Sequence, residues 1–442
     1  MRAEKFTDQG LNAVVERAEK CGVRLPLSEN IDVLRAPLEV AGRRLANRLA
    51  VQPMEGCDGT PDGAPGELTA RRYRRFAGGG AGLIWFEAVA VSPEARANPR
   101  QLMLTEQNLG AFQALAAEIK ETAQREQGLE PVLILQATHS GRYSKPEGKP
   151  APVVMGHCPP LEKNSNPGVF HILSDDELQR LEERYAKTAA LAQKAGFDGV
   201  DIKACHRYLI SESLSAYERP GPYGGSLENR TRLYRNAVAA ARSVASGGFL
   251  VTSRLNVYDG LAYPWGFGVR PGGGEAPDLA EPVELVRHLY EEGMRLLDIT
   301  IGNPYFNPHI NRPFDKGPYA LPEDPIVGVA RLCGCVSAIK RAAPEMAVVA
   351  SGLSYLRQFS ANQAAGLVES GAADLAGFGR MAFAYPDFAA DILREGRLKP
   401  EKCCLACSKC TELMRAGSTP GCVVRDSAVY APLYRRVLQK QG

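Results

Sequence analysis

Eight short apolar runs, each separated from the next by a helical stretch, constrain this fold more than any other feature of the chain. They lie at residues 49–54, 82–88, 131–137, 199–204, 249–255, 296–301, 346–351 and 373–378. Each is short enough to be a strand buried on both faces of a parallel sheet. The clearest helix begins at Ser174, where Glu177 three residues on completes a capping box. Leu178, Leu181, Tyr185, Ala189 and Ala192 then mark one apolar face. A doubly wound open sheet shares this alternation. The count of eight predicts closure instead, into an α/β fold of the (β/α)8 TIM-barrel type. Residues 38–49 read as a hairpin leading into the first strand. The predicted organisation is an N-terminal extension (1–37), a barrel (38–396) and a cysteine-rich C-terminal segment (397–442).

In such a barrel, chemistry sits at the C-terminal ends of the strands and in the loops that follow. That directs attention to Met54, Ala88, Gln136, Lys203, Arg254, Gly302, Gly352 and Gly379. The richest strand end runs from Asp198 to Ile210, where Lys203, His206 and Tyr208 are expected to cluster. Lys203 and His206 can donate hydrogen bonds to a carbonyl or carboxylate oxygen, and Tyr208 carries a proton for general acid catalysis. The structural alternative is a buried His–Tyr hydrogen bond with Lys203 in an ion pair. The glycine run at 272–274 reads as a mobile loop, because no phosphate-binding fingerprint surrounds it.

Near the end stand Cys404, Cys407 and Cys410, followed after eleven residues by Cys422. Four thiolates suit either zinc or an iron–sulfur cluster. Three of them crowded on one turn are an iron–sulfur habit, whereas zinc sites usually pair two separate knuckles. Cys403 is an adjacent alternative to Cys404. Cys21, Cys158, Cys205, Cys333 and Cys335 read as core or inert thiols.

Composition narrows the function classes. A net charge of +3 is too small to argue for nucleic acid. No apolar run is long enough to span a bilayer, and the first residues lack the apolar core of a secretion signal. The expectation is a cytoplasmic protein whose eleven cysteines remain outside disulfides.

Several motifs occur together in one order. Pro53-Met54 ends strand one, and Gln136-Ala-Thr-His-Ser-Gly-Arg142 ends strand three. The stretch from Asp201 to Tyr208 is followed by Tyr223-Gly-Gly-Ser-Leu-Glu-Asn-Arg230. Gly377-Phe-Gly-Arg380 precedes Pro386-Asp-Phe. Over roughly residues 35–430 this series resembles the Old Yellow Enzyme superfamily of FMN-dependent ene-reductases. The closest likeness is its iron–sulfur branch, which includes 2,4-dienoyl-CoA reductase and trimethylamine dehydrogenase.

The resemblance implies FMN and a [4Fe–4S] cluster as cofactors, the latter on Cys404, Cys407, Cys410 and Cys422. Pro53, Met54, Glu55, Ala88, Gln136, Arg254, Gly352, Gly379 and Arg380 would bind the flavin. Gln136 would meet the pyrimidine edge, and Arg254 would place positive charge near the N1–C2 oxygen region. Gly352, Gly379 and Arg380 would hold the phosphate, and Glu87 with Ala88 would lie beside the ring. Lys203 and His206 would bind a substrate oxygen. Hydride would pass from FMN N5 to the β-carbon of an activated alkene, and Tyr208 would protonate the α-carbon.

Two residues depart from the family pattern. Lys203 stands where histidine is usual, and either binds substrate or pairs with Glu87 or another acid. Glu55 stands where threonine or cysteine is usual. Cys57 is not expected to attach the flavin covalently. Rival readings are an amine dehydrogenase or demethylase, an electron-transfer subunit without an organic substrate, and a barrel with a zinc-stabilised tail. Tyr305 and Phe306, in the loop at 303–314, belong to a pocket in either enzyme reading.

The larger relatives carry a further FAD- and nicotinamide-binding region, which is expected to be absent here. The expected partners are therefore an unsaturated small molecule and an electron donor, either a ferredoxin or flavoprotein or NAD(P)H. From Arg397 onward nine lysines and arginines face three acidic residues, a charge balance that would steer an acidic donor. A homo-oligomer is also expected.

Overall fold

A computed structural model describes residues 4–163 and 169–441. Eight parallel strands close a barrel in chain order. They are β1 (Leu49–Val51), β2 (Leu83–Ala90), β3 (Val132–Thr138), β4 (Gly199–Ile202), β5 (Leu250–Asn256), β6 (Leu296–Thr300), β7 (Ala347–Ala350) and β8 (Leu375–Phe378). Closure is made by β8 on β1, with Phe378 opposite Val51. All eight apolar runs became these strands, and the open-sheet alternative is excluded. Every residue of β1–β8 is buried, so the strands show no alternation of buried and exposed positions.

Helices α1 (Glu67–Ala77), α2 (Leu109–Gln127), α3 (Asp175–Lys194), α4 (Leu227–Val244), α5 (Ala280–Glu291), α6 (Pro325–Ala342), α7 (Ser360–Glu369) and α8 (Phe388–Glu395) surround the barrel. Local chemistry starts several of them. The Ser174 side chain accepts from the Glu177 N–H to begin α3, completing the expected capping box. Ser226 does the same for α4 through Asn229. Asp324 caps α6, which has proline in its first turn.

The hairpin pairs Leu38–Val40 with Arg43–Leu45. Its turn residues Ala41 and Gly42 have φ of 48° and 78°, the hand that matches strand twist. Val40 and Leu45 pack into a core cluster with Ala50, Leu83, Trp85, Val132 and Ile134. The hairpin thereby closes the N-terminal end of the barrel and leaves the other end for ligands. The N-terminal extension contains the helix Leu11–Lys20. Arg17 fastens it to α6, reaching both Asp324 oxygens at 3.1 and 3.0 Å.

The C-terminal segment folds as helices Lys409–Arg415 and Ser427–Gln441 around Leu413, Val423, Tyr430 and Val437. Arg71 of α1 holds Asp426 through two bonds of 2.8 and 2.9 Å. Among the described residues, no helix is long and apolar enough to cross a membrane.

Candidate active site

The C-terminal ends of seven barrel strands, all but β2, open with the loops that follow them into one cavity. Pro53, Met54 and Glu55 line it after β1, and Gln136 from β3. Lys203, His206 and Tyr208 follow β4, and Arg254 comes from β5. Gly352 follows β7, and Gly379 and Arg380 follow β8. Gly302 does not line it, and the other strand-end residues singled out in the sequence converge with one exception.

That exception is Ala88, which is fully buried opposite Gln136 and does not line the cavity. Glu87 does not line it either. A bulge between Phe86 and Ala88 is the reason, because it breaks the side-chain alternation there. The Glu87 carboxylate goes instead to Arg72 of α1 and to the Gly56 N–H, the latter at 2.7 Å. Arg72 also grips Asp58 through bonds of 2.6 and 3.0 Å. This buried network anchors the loop that carries Glu55. A Cβ on Gly56 would lie 2.1 Å from Arg72 Nη2. Gly56→Ala is therefore expected to destabilise the fold by about 3–5 kcal/mol, by breaking a buried charge network. Chemical denaturation measures this, with Gly110→Ala in α2 as a clash-free control expected to be neutral or slightly stabilising, since nothing lies within 4 Å of a Cβ there.

Behind β4 the chain makes a costly turn. His206 and Arg207 both have left-handed φ, 65° and 58°. Arg207 turns to Asp259, 3.1 Å away, while His206 and Tyr208 line the cavity. Burial, reinforced by the positive charges of Arg254, Lys203 and Arg312, holds His206 well below its ordinary value. The ring is therefore neutral, and its buried Nε2 has no partner among the described residues.

Lys203 makes the ion pair weighed as its alternative, but with Glu55 rather than Glu87. Lys203 Nζ donates to Glu55 Oε1 at 3.2 Å. Tyr208 OH reaches the same oxygen at 3.2 Å and lies 2.9 Å from Tyr305 OH. The Lys203 ammonium also sits over the Tyr208 ring, 3.8 Å from its centroid. Burial and then the Glu55 charge push Tyr208 well above its ordinary value, so the phenol keeps its proton. Tyr143 stacks on Tyr305 at 4.0 Å and accepts from Asn303 at 2.8 Å. Phe306 is exposed and does not line the cavity.

Deeper in, Asp201 organises the wall. It accepts from Gln136 Nε2 (2.6 Å), Trp85 Nε1 (2.8 Å) and the Arg254 N–H (2.7 Å). Burial still pushes it up to about 6. Arg254 Nε lies 3.0 Å from Asp298 Oδ2 as an ion pair, off the hydrogen-bond direction. Gln52 donates to Asp298 Oδ1 at 3.1 Å and leaves its own Oε1 unpartnered. Buried polar atoms without partners are rare, and a group of them around one cavity fits a polar planar ligand such as a flavin ring.

At the far wall, Arg312 and Arg380 stand together. Arg312 Nη2 and Arg380 Nη1 are buried without partners. Burial and the neighbouring Arg380 charge bring Arg312 down to about 10. Two such guanidiniums beside Gly352, Ser354 and Gly379 suit a phosphate. Arg312, Gln52 and Ser354 were missed in the sequence. A polar Gln52 inside an apolar run was an available signal, but no local motif marks Arg312.

A second cavity shares Arg380, Phe383 and Cys410 with the first. Cys404, Cys407, Cys410 and Cys422 all line it. Cys403 does not, because its thiol turns to the Lys399 carbonyl at 3.3 Å. Left-handed residues Ala406 and Ser408 (φ 50° and 60°) curl the cysteine loop. Backbone N–H groups reach two of the sulfurs: Ala406 to Cys404 at 3.4 Å and Arg425 to Cys422 at 3.3 Å. Among the described residues, no three His, Cys, Asp or Glu side chains gather closely enough to hold a single ion. Four thiols around one cavity are soft donors of the kind that zinc and iron–sulfur clusters take. Cys57 and Cys205 are buried outside both cavities, and burial raises both thiols, that of Cys205 to about 12.

The family model described as NADH:flavin oxidoreductase / NADH oxidase matches residues 34–265. The NADPH dehydrogenase of Bacillus pumilus is 29% identical over 275 residues, covering 61% of this chain and 73% of that protein. Among solved structures, a 2-naphthoyl-CoA reductase in complex with 2-naphthoyl-CoA superposes with a TM-score of 0.74 at 21% identity. The match covers 91% of this chain but only 58% of that longer one. The Old Yellow Enzyme homologue from Zymomonas mobilis gives 0.61 at 22% identity, covering 83% of this chain and 94% of that one. At these identities the structural likeness speaks to the fold.

Proposed function

The chain belongs to the NADH:flavin oxidoreductase / NADH oxidase family, and is a flavin-dependent oxidoreductase of the Old Yellow Enzyme type, and from that premise we propose that it reduces an activated carbon–carbon double bond. The observation that carries this reading is the convergence of Lys203, His206 and Tyr208 on the cavity that Gln136, Arg254 and Arg380 also line. FMN, when bound, supplies the hydride chemistry. Gln136, held by Asp201, offers its amide to the ring edge. Arg254 supplies positive charge beside it. Arg312 and Arg380 bind the phosphate, with the N–H groups of Gly352 and Gly379. Lys203 and His206 donate to the carbonyl oxygen of the substrate and draw charge from its alkene. Tyr208 holds the proton destined for the α-carbon.

Cys404, Cys407, Cys410 and Cys422 are the proposed ligands of a [4Fe–4S] cluster, which exchanges single electrons. Because Cys410 lines both cavities, that cluster would stand next to the flavin site. The donor to it is a ferredoxin, a flavoprotein or NAD(P)H. Of the basic residues in the C-terminal segment, Lys399 and Lys402 are already paired with Asp387, Asp391 and Glu395. An acidic donor would therefore meet the remaining ones. A comparison of rates with NADPH and with reduced ferredoxin tests this.

The amine dehydrogenase reading fits less well. The Tyr208 face that would cradle a substrate cation is covered by the Lys203 ammonium. Anaerobic purification, a visible spectrum, and a panel of enones and enoates with reduced viologen dye test the proposal. A chain without flavin absorbance, or a flavin that no alkene reoxidises, would overturn it. Arg312→Met is expected to weaken FMN retention by about 10- to 100-fold, the worth of one buried charged contact. Flavin released on dialysis measures the loss.

A further inference from the structure

Resting on the ene-reductase reading, we infer that Glu55 and Lys203 form a charge-cancelling pair that selects an uncharged carbonyl head group and rejects both free carboxylates and amines. The argument is a charge balance inside one cavity. Its charged side chains are few: Arg312 and Arg380 stand at the phosphate end, and Arg254 is paired with Asp298. His206 is neutral. At the substrate end that leaves Glu55 and Lys203, which meet at 3.2 Å. Their side chains are only 13% and 3% exposed, so water screens the pair poorly.

Lysine carries three N–H donors, and one goes to Glu55. The other donors, with the unpartnered His206 nitrogen, can hold a ketone, aldehyde, ester or thioester oxygen without adding charge. A free carboxylate entering the same place would face the Glu55 carboxylate across one ammonium. An amine would face Lys203 directly. It would also find the Tyr208 ring already occupied at 3.8 Å. The Tyr208 hydroxyl also lies 3.2 Å from the same Glu55 oxygen. Glu55 is thus a specificity-determining residue that works by keeping Lys203 a neutralised donor.

The test uses the flavin-loaded protein and two ligands that share a β-phenyl alkene, 4-phenyl-3-buten-2-one and cinnamate. Dissociation constants come from titrating the flavin spectrum, so the readout is binding and not turnover. Wild type is expected to bind the ketone at least about 10-fold more tightly than cinnamate. Glu55→Gln leaves the ammonium uncancelled and is expected to move that ratio by about 10-fold or more toward cinnamate. Lys203→Met leaves the carboxylate unpaired and is expected to move it the other way. The ratio is internal to each protein, and the Lys203→Met result stands if the other variant loses flavin. A ratio that neither substitution moves, or a wild type that prefers cinnamate, overturns the inference. So does a flavin-loaded wild type that binds neither ligand. A chain that takes up no flavin removes the functional reading itself.

Discussion

Tyr208→Phe is expected to lower turnover by about 100- to 10,000-fold, the usual worth of a placed general acid, while flavin content stays unchanged. The substitution deletes one oxygen and keeps the ring. That ring still carries the Lys203 ammonium on its face and still closes the substrate end of the cavity. The phenol is buried and keeps its proton at neutral pH, so every resting molecule is ready to donate. Tyr305 lies 2.9 Å from the same hydroxyl, and Tyr305→Phe should cost less if it only supports Tyr208. Stopped-flow reoxidation of reduced enzyme by an enone measures both variants. Unchanged turnover in Tyr208→Phe removes it from the acid role, and a larger loss in Tyr305→Phe transfers the role to that residue.

The second large effect separates two adjacent cysteines. Cys404→Ser is expected to abolish most bound iron and acid-labile sulfide, whereas Cys403→Ser is expected to keep both. Cys404 lines the thiol cavity and its sulfur receives the Ala406 N–H. Cys403 points to Lys399 and is fully buried away from that cavity. A cluster ligand is replaced poorly by a hydroxyl, which is a harder donor. Iron and sulfide assays on anaerobically reconstituted protein decide the matter. Equal loss in both variants, or retention in Cys404→Ser, would sink the assignment. Zinc in place of iron would restore the interaction-tail reading of the segment.

Much of the barrel was legible because its strands are short and buried on both faces. Runs such as 296–301 and 346–351 carry that signal without help from tertiary context. Ala88 shows where such reasoning stops. The family resemblance put Glu87 and Ala88 beside the ring, and one bulge turned Glu87 toward α1. Arg312 was invisible for another reason. It lies in an irregular loop, and its meaning comes from Arg380, 68 positions later in the chain. Lys203 was placed correctly at a strand end, but its partner was not. Glu55 and Lys203 lie 148 residues apart, and only barrel closure brings them to 3.2 Å.

The order of apolar runs and motif residues by itself determined a closed eightfold barrel with its chemistry at one end. Local periodicity and side-chain type carry that much, because strands, caps and ligand classes are short-range properties. Which carboxylate neutralises Lys203, which of two neighbouring thiols faces the shared wall, and which guanidinium joins Arg380 were decided only in three dimensions. Pairing energies between buried charges depend on distance and burial, and neither is encoded until distant strand ends share one cavity.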